Sequence, residues 1–91
     1  MDFSEYSRQT LEEIWRVRLH AAQQRAGLAL ADFKKVEQEW RAQMQPEDRL
    51  AMSEALTRES VARRKYIRTL RVFTNLVVNG KRPPVSFDGD E

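Results

Sequence analysis

The chain has 91 residues, 41% of them hydrophobic and 33% charged, and no cysteine. That fits one small soluble domain and excludes a multidomain enzyme, a disulfide framework, a thiolate nucleophile and a cysteine zinc site. The net charge of +2 is unevenly spread: residues 1–59 hold nine cations and eleven anions, residues 60–82 seven cations and no anion, and residues 83–91 three anions.

The opening residues, Met1-Asp2-Phe3-Ser4-Glu5, lack a basic segment followed by an apolar run. No stretch of about 18 apolar residues follows, so the chain reads as cytoplasmic and without a membrane partner. Gly27 is the only glycine or proline between Met1 and Pro46, and with so little punctuation long helices are expected. Thr10 to Gln43 is dense in Ala, Leu, Glu, Gln and Arg, which lose little rotamer freedom in a helix. A first helix is predicted over about residues 4–43, starting near Ser4 or at Thr10, where Thr10-Leu11-Glu12-Glu13 has the capping-box pattern. It ends near Gln43 because Pro46 disfavours helical backbone at Gln45.

Met44 and Gln45 form the turn, and Pro46 suits the first position of a second helix, followed by Glu47 and Asp48 where the helix dipole favours negative charge. That helix is predicted over about residues 46–79, stopped by Gly80 in the left-handed conformation and by Pro83-Pro84. Residues 1–80 are thus one helical hairpin domain and residues 81–91 a flexible tail, with too few apolar groups to offset ordering entropy. Within the tail, Pro83-Pro84-Val85-Ser86-Phe87 followed by Asp88, Asp90 and Glu91 also has the form of an extended docking element with one aromatic anchor.

On the first helix, Leu11, Trp15, Leu19, Ala22, Ala26, Ala29, Phe33, Val36 and Trp40 fall on one narrow stripe. The corresponding stripe on the second helix is read as Met52, Ala55, Leu56, Tyr66, Ile67, Leu70, Phe73 and Val77. The expected fold class is all-α, a long antiparallel two-helix hairpin with a coiled-coil-like seam. Such a seam buries little surface. Ile14, Val17, Ala21 and Leu28 form a second apolar strip on the first helix, with Val72 and Leu76 off the main stripe of the second. These are candidate oligomer contacts, and dimerisation into a four-helix bundle is the leading architecture. The alternative is a monomeric three-helix bundle with a break near Gly27, although one helical glycine costs only about 1 kcal/mol.

Glu59 and Arg63 interrupt the second stripe, four residues apart in the orientation of a helical ion pair. A turn near Gln45 places them across from Ala26, Gly27, Ala29 and Leu30. There the pair fills space left by small residues and fixes register, or forms a partly buried polar site. Three further pairs, Glu12 with Arg16, Glu37 with Arg41 and Glu54 with Arg58, have the same spacing.

Arg64, Lys65, Arg68 and Arg71 project within one outward arc of about 120°. No carboxylate lies in helical reach of them, and the part of the first helix expected alongside carries Arg16, Arg18, His20 and Arg25, with no acid between Glu13 and Asp32. This basic belt is a solvated face, a nucleic-acid backbone site, or a dock for an acidic protein surface, including this chain's own Asp88, Asp90 and Glu91.

The sole histidine, His20, has Val17 three residues before it, so the Glu-x-x-His pattern of di-iron bundles is missing and no metal or cofactor is expected. Glycine-rich phosphate loops and nucleophile elbows are also lacking. Glu12 and Glu13 are adjacent and point to different helix faces, which argues against an acid–base pair. The second helix lacks the short helix, turn and recognition helix of a helix-turn-helix unit. The chain is therefore expected to be a non-enzymatic, self-associating interaction or assembly module with no small-molecule substrate. The alternative is a sequence-nonspecific nucleic-acid binder using the belt.

Overall fold

The computed structural model describes residues 6–43, 46 and 48–83. Two helices, α1 (Arg8–Gln43) and α2 (Asp48–Asn79), make up the fold. Their antiparallel pairing is marked by Arg8 against Val77 at one end and Asp32 against Arg58 further along. The resulting rod measures 55 × 19 × 16 Å.

Ser7, rather than Ser4 or Thr10, caps α1. Its Oγ accepts the Thr10 backbone N–H at 3.2 Å and its hydroxyl donates to Thr10 Oγ1 at 2.9 Å, while the Leu11 N–H bonds the Ser7 carbonyl at 3.0 Å. Ser7 stands three residues before Thr10, the relation an N-cap hydroxyl needs. Starting there also brings Arg8 into the helix, where its Nε pairs with Glu12 at 3.2 Å and its Nη2 donates to the Val77 carbonyl at 2.7 Å. Ser4 lies outside the described residues.

α1 continues through Gly27 without interruption, which removes the three-helix alternative. Gly27 is exposed, and a Cβ added there would meet nothing within 4 Å. Gly27→Ala is therefore expected to raise stability by about 0.5–1 kcal/mol. Urea denaturation should show a higher midpoint with an unchanged slope.

α2 starts at Asp48, two residues later than expected. Pro46 belongs to the turn, where its carbonyl accepts the Arg49 N–H at 3.1 Å; Met44, Gln45 and Glu47 lie outside the described residues. At the far end Gly80 adopts φ 68°, as its position predicted. Its N–H bonds the Leu76 carbonyl at 3.1 Å and the Lys81 N–H reaches Asn75 at 3.1 Å, so carbonyls left open by the helix end are satisfied. Beyond it, Arg82 Nη1 donates to the Tyr6 carbonyl at 2.9 Å and Pro83 is buried. These contacts attach the first residues of the expected tail to the start of α1; residues 84–91 lie outside the described part.

The α1 stripe faces inward as read. Leu11, Trp15 and Ala22 are buried, and Leu19, Ala26, Ala29, Phe33, Val36 and Trp40 are half-buried. The α2 seam differs. Met52, Ala55, Glu59, Ala62, Tyr66, Thr69, Phe73 and Leu76 are buried or half-buried, an unbroken alternation of three and four. Four residues assigned to that seam, Leu56, Ile67, Leu70 and Val77, are instead 47%, 46%, 38% and 37% exposed. Following the largest apolar residues passes over Glu59, Ala62 and Thr69 and turns the face by about 50°. Thr69 is tolerated inside because its hydroxyl donates to the Lys65 carbonyl at 2.8 Å.

The hydrophobic cluster sits at one end. Leu11, Trp15 and Leu76 are enclosed, with Tyr6, Ile14, Val72 and Phe73 packed around them. Toward the middle of the rod the seam is mostly alanine, supplied by Ala22, Ala26 and Ala29 on α1 and by Ala55 and Ala62 on α2.

Candidate functional site

Glu59 is the one charged residue buried among those described, at 7% exposure, and its carboxylate lies 3.8 Å from Arg63 Nε. Arg63 itself reaches solvent. The pair therefore crosses from the seam to the surface as a Coulombic contact beyond hydrogen-bonding distance. The half-buried Ala26 and Ala29 belong to the facing stripe, whereas Gly27 and Leu30 are exposed; the expectation that all four face the pair is corrected to the two alanines.

The basic residues separate into distinct groups. Arg64 and Arg71 are exposed and Arg68 is half-buried, on the side of α2 turned away from α1. The Arg16 guanidinium lies 5.8 Å from the centre of the Phe73 ring, and that of Arg18 lies 4.8 Å from Trp15. Both cations thus rest on seam aromatics, in the geometry where a ring face attracts positive charge. Arg25 and Lys65 converge with Arg58, Thr57, Val61 and Ala62 around an open groove of about 360 Å³.

Arg58 was not part of the belt expected from sequence, because Glu54 four residues before it looked like its partner. It instead pairs across the helices with Asp32 at 3.1 Å. Glu12 likewise bonds Arg8 rather than Arg16, which frees Arg16 to lie over Phe73. Glu37 and Arg41 pair at 3.4 Å, as their spacing predicted.

Of the strip Ile14, Val17, Ala21 and Leu28, Ile14 packs on the core cluster and Ala21 is half-buried, leaving Val17 and Leu28 at 70% and 72% exposure. A longer exposed row runs along α2 through Leu56, Ile67, Leu70 and Val77, with Leu30 exposed on α1. By helical geometry this row and the groove occupy opposite flanks of the seam. The row is hidden in the sequence because its large apolar residues fit the inward stripe as well as they fit an outer one.

Among the described residues no group of three or more His, Cys, Asp or Glu side chains is positioned to hold a metal ion, and no helix is long and apolar enough to cross a membrane. Comparison with known protein families, curated proteins and solved structures finds no match to this chain.

Proposed function

We propose that the chain is a non-enzymatic, self-associating assembly module, two hairpins pairing side by side into a four-helix bundle. The observation that carries this reading is the exposed apolar row Leu56, Ile67, Leu70 and Val77 beside Leu30. Among the described residues few apolar side chains are enclosed, namely Leu11, Trp15, Ala22, Ala55, Leu76 and Pro83. The row runs from Leu56 to Val77, about 32 Å along α2.

Charge supports pairing through the row. Beside the row, Arg8 with Glu12, Arg41 with Glu37, and Arg63 with Glu59 are neutralised within the chain. The flank of Val17 and Leu28 carries Arg25 and Lys65 beside the pair of Arg58 with Asp32, and a two-fold axis through it would bring Arg25 and Lys65 toward their copies.

Sedimentation velocity at tens of micromolar should give a dimer. Ile67→Glu with Leu70→Glu should give a helical monomer, and Val17→Glu with Leu28→Glu should leave the dimer in place. A wild-type monomer under these conditions overturns the reading.

A second reading, sequence-nonspecific nucleic-acid binding, is supported by Arg64, Arg68 and Arg71 on the outer side of α2. Titration of a labelled duplex separates the two, since contact with three or four phosphates gives a log–log salt slope of about −3 to −4.

A further inference from the structure

The groove of about 360 Å³ opens where α2 runs beside Arg25 of α1, with Val61 and Ala62 in its lining. Ala62 faces the stretch of α1 whose inward residues are Ala22, Ala26 and Ala29. Side chains this short leave the valley between two helices unfilled. The volume is at the lower end of the range for small-ligand sites, enough for a single short alkyl chain.

Most polar groups around the groove are already engaged. The Thr57 hydroxyl donates to the Ser53 carbonyl at 3.0 Å, and Arg58 holds Asp32 at 3.1 Å. Lys65 has a partner as well. Arg25 differs, since it is exposed and makes no hydrogen bond or ion pair among the described residues. Leu28, also exposed and three residues further along α1, extends the apolar surface on the same side. The complementary ligand therefore has an apolar chain, whose burial on Val61 is favourable, and one negative charge at its end. A carboxylate matches best, because a guanidinium offers two parallel N–H donors to its two oxygens. The Asp32 carboxylate near the rim disfavours a dianion.

We propose that this groove binds a monomeric amphipathic carboxylate of the fatty-acid type, its alkyl chain on Val61 and Ala62 and its carboxylate at Arg25. The groove and the exposed row occupy opposite flanks, so the site is independent of self-association.

The test titrates decanoate into the full chain with isotopically labelled methyl groups and follows it by two-dimensional NMR. The Val61 and Ala62 methyl resonances should shift saturably with a Kd below about 1 mM, while those of Leu56 and Leu70 on the other flank stay in place. Arg25→Gln, with an unchanged circular dichroism spectrum, should weaken binding about three- to fivefold, the effect of a solvent-exposed ion pair. Decyltrimethylammonium, the same chain with the opposite charge, should bind no better than decanoate binds that variant. Tight binding of the cation, an Arg25→Gln variant that binds as the wild type does, shifts confined to the row, or no saturation by about 5 mM overturns the proposal. Vesicles containing phosphatidylglycerol separate a free ligand from a lipid surface. Groove resonances that respond to the vesicles and not to decanoate assign the groove to a membrane and overturn it as well.

Discussion

Trp15→Ala is expected to lower stability by about 3–5 kcal/mol, a large share of what a domain of this size holds. Trp15 is fully enclosed with Leu11 and Leu76 in the cluster that Tyr6, Ile14, Val72 and Phe73 surround. Truncating the indole removes its transfer energy and leaves a cavity among side chains held by both helices. It also removes the ring on which the Arg18 guanidinium rests at 4.8 Å. Domains of this size have a total stability of only about 5–15 kcal/mol, and the rest of this seam is largely alanine and half-buried side chains. Far-UV circular dichroism during urea titration reads the outcome. Trp15→Phe should keep the helical signal with a smaller loss, and a Trp15→Ala chain with an unchanged midpoint would show that stability resides elsewhere.

Glu59→Leu is expected to act in the opposite direction, stabilising the hairpin by about 1–3 kcal/mol. The Glu59 carboxylate is nearly withdrawn from water, and its partner, 3.8 Å away, is more than half exposed. The attraction is weakened by solvent on the Arg63 side, whereas desolvation falls on the carboxylate in full. Leucine at this position makes the α2 seam apolar between Ala55 and Ala62 and adds contacts where Ala26 and Ala29 face it. The cost is alignment, since a charged group at one seam position admits fewer registers than a uniform apolar row. The variant should therefore melt later while its amide resonances broaden. A midpoint that falls would show that the pair contributes net stability. Arg63→Ala, which leaves the carboxylate inside without its cation, should lower the midpoint.

The first helix was legible in the sequence because every position of its stripe is apolar, and the three-four spacing survives even through alanine. The second was legible in extent but not in facing. Three of its inward positions are Glu59, Ala62 and Thr69, and hydrophobicity alone gives such residues little weight. The continuity of spacing from Met52 to Leu76 was the available signal, and it fixes the face correctly once a carboxylate and a hydroxyl are admitted to it.

Local backbone signals were similarly divided. Gly80 took the left-handed conformation because a glycine after a long apolar-periodic helix has few other roles. Ser7 went unread because Thr10-Leu11-Glu12-Glu13 matched the commoner capping pattern. For the charged residues, the pairing of Glu37 with Arg41 follows from spacing within one helix. The Asp32–Arg58 contact and the groove beside it depend on how two helices lie together, which no count along a single helix contains.

The two bonds that join the start of α1 to the end of α2, from Arg8 to Val77 and from Arg82 to Tyr6, bring both chain directions out at the same pole. The rod is thus a prong, anchored at its base and blunt at a tip roughly 50 Å away. A load applied through residues 6 and 83 peels the helices apart like a zip instead of shearing them along their length. It meets the tightest packing first, and once that base has parted the alanine stretch and then the half-buried Phe33, Val36, Trp40 and Met52 stand between the opening fork and the turn.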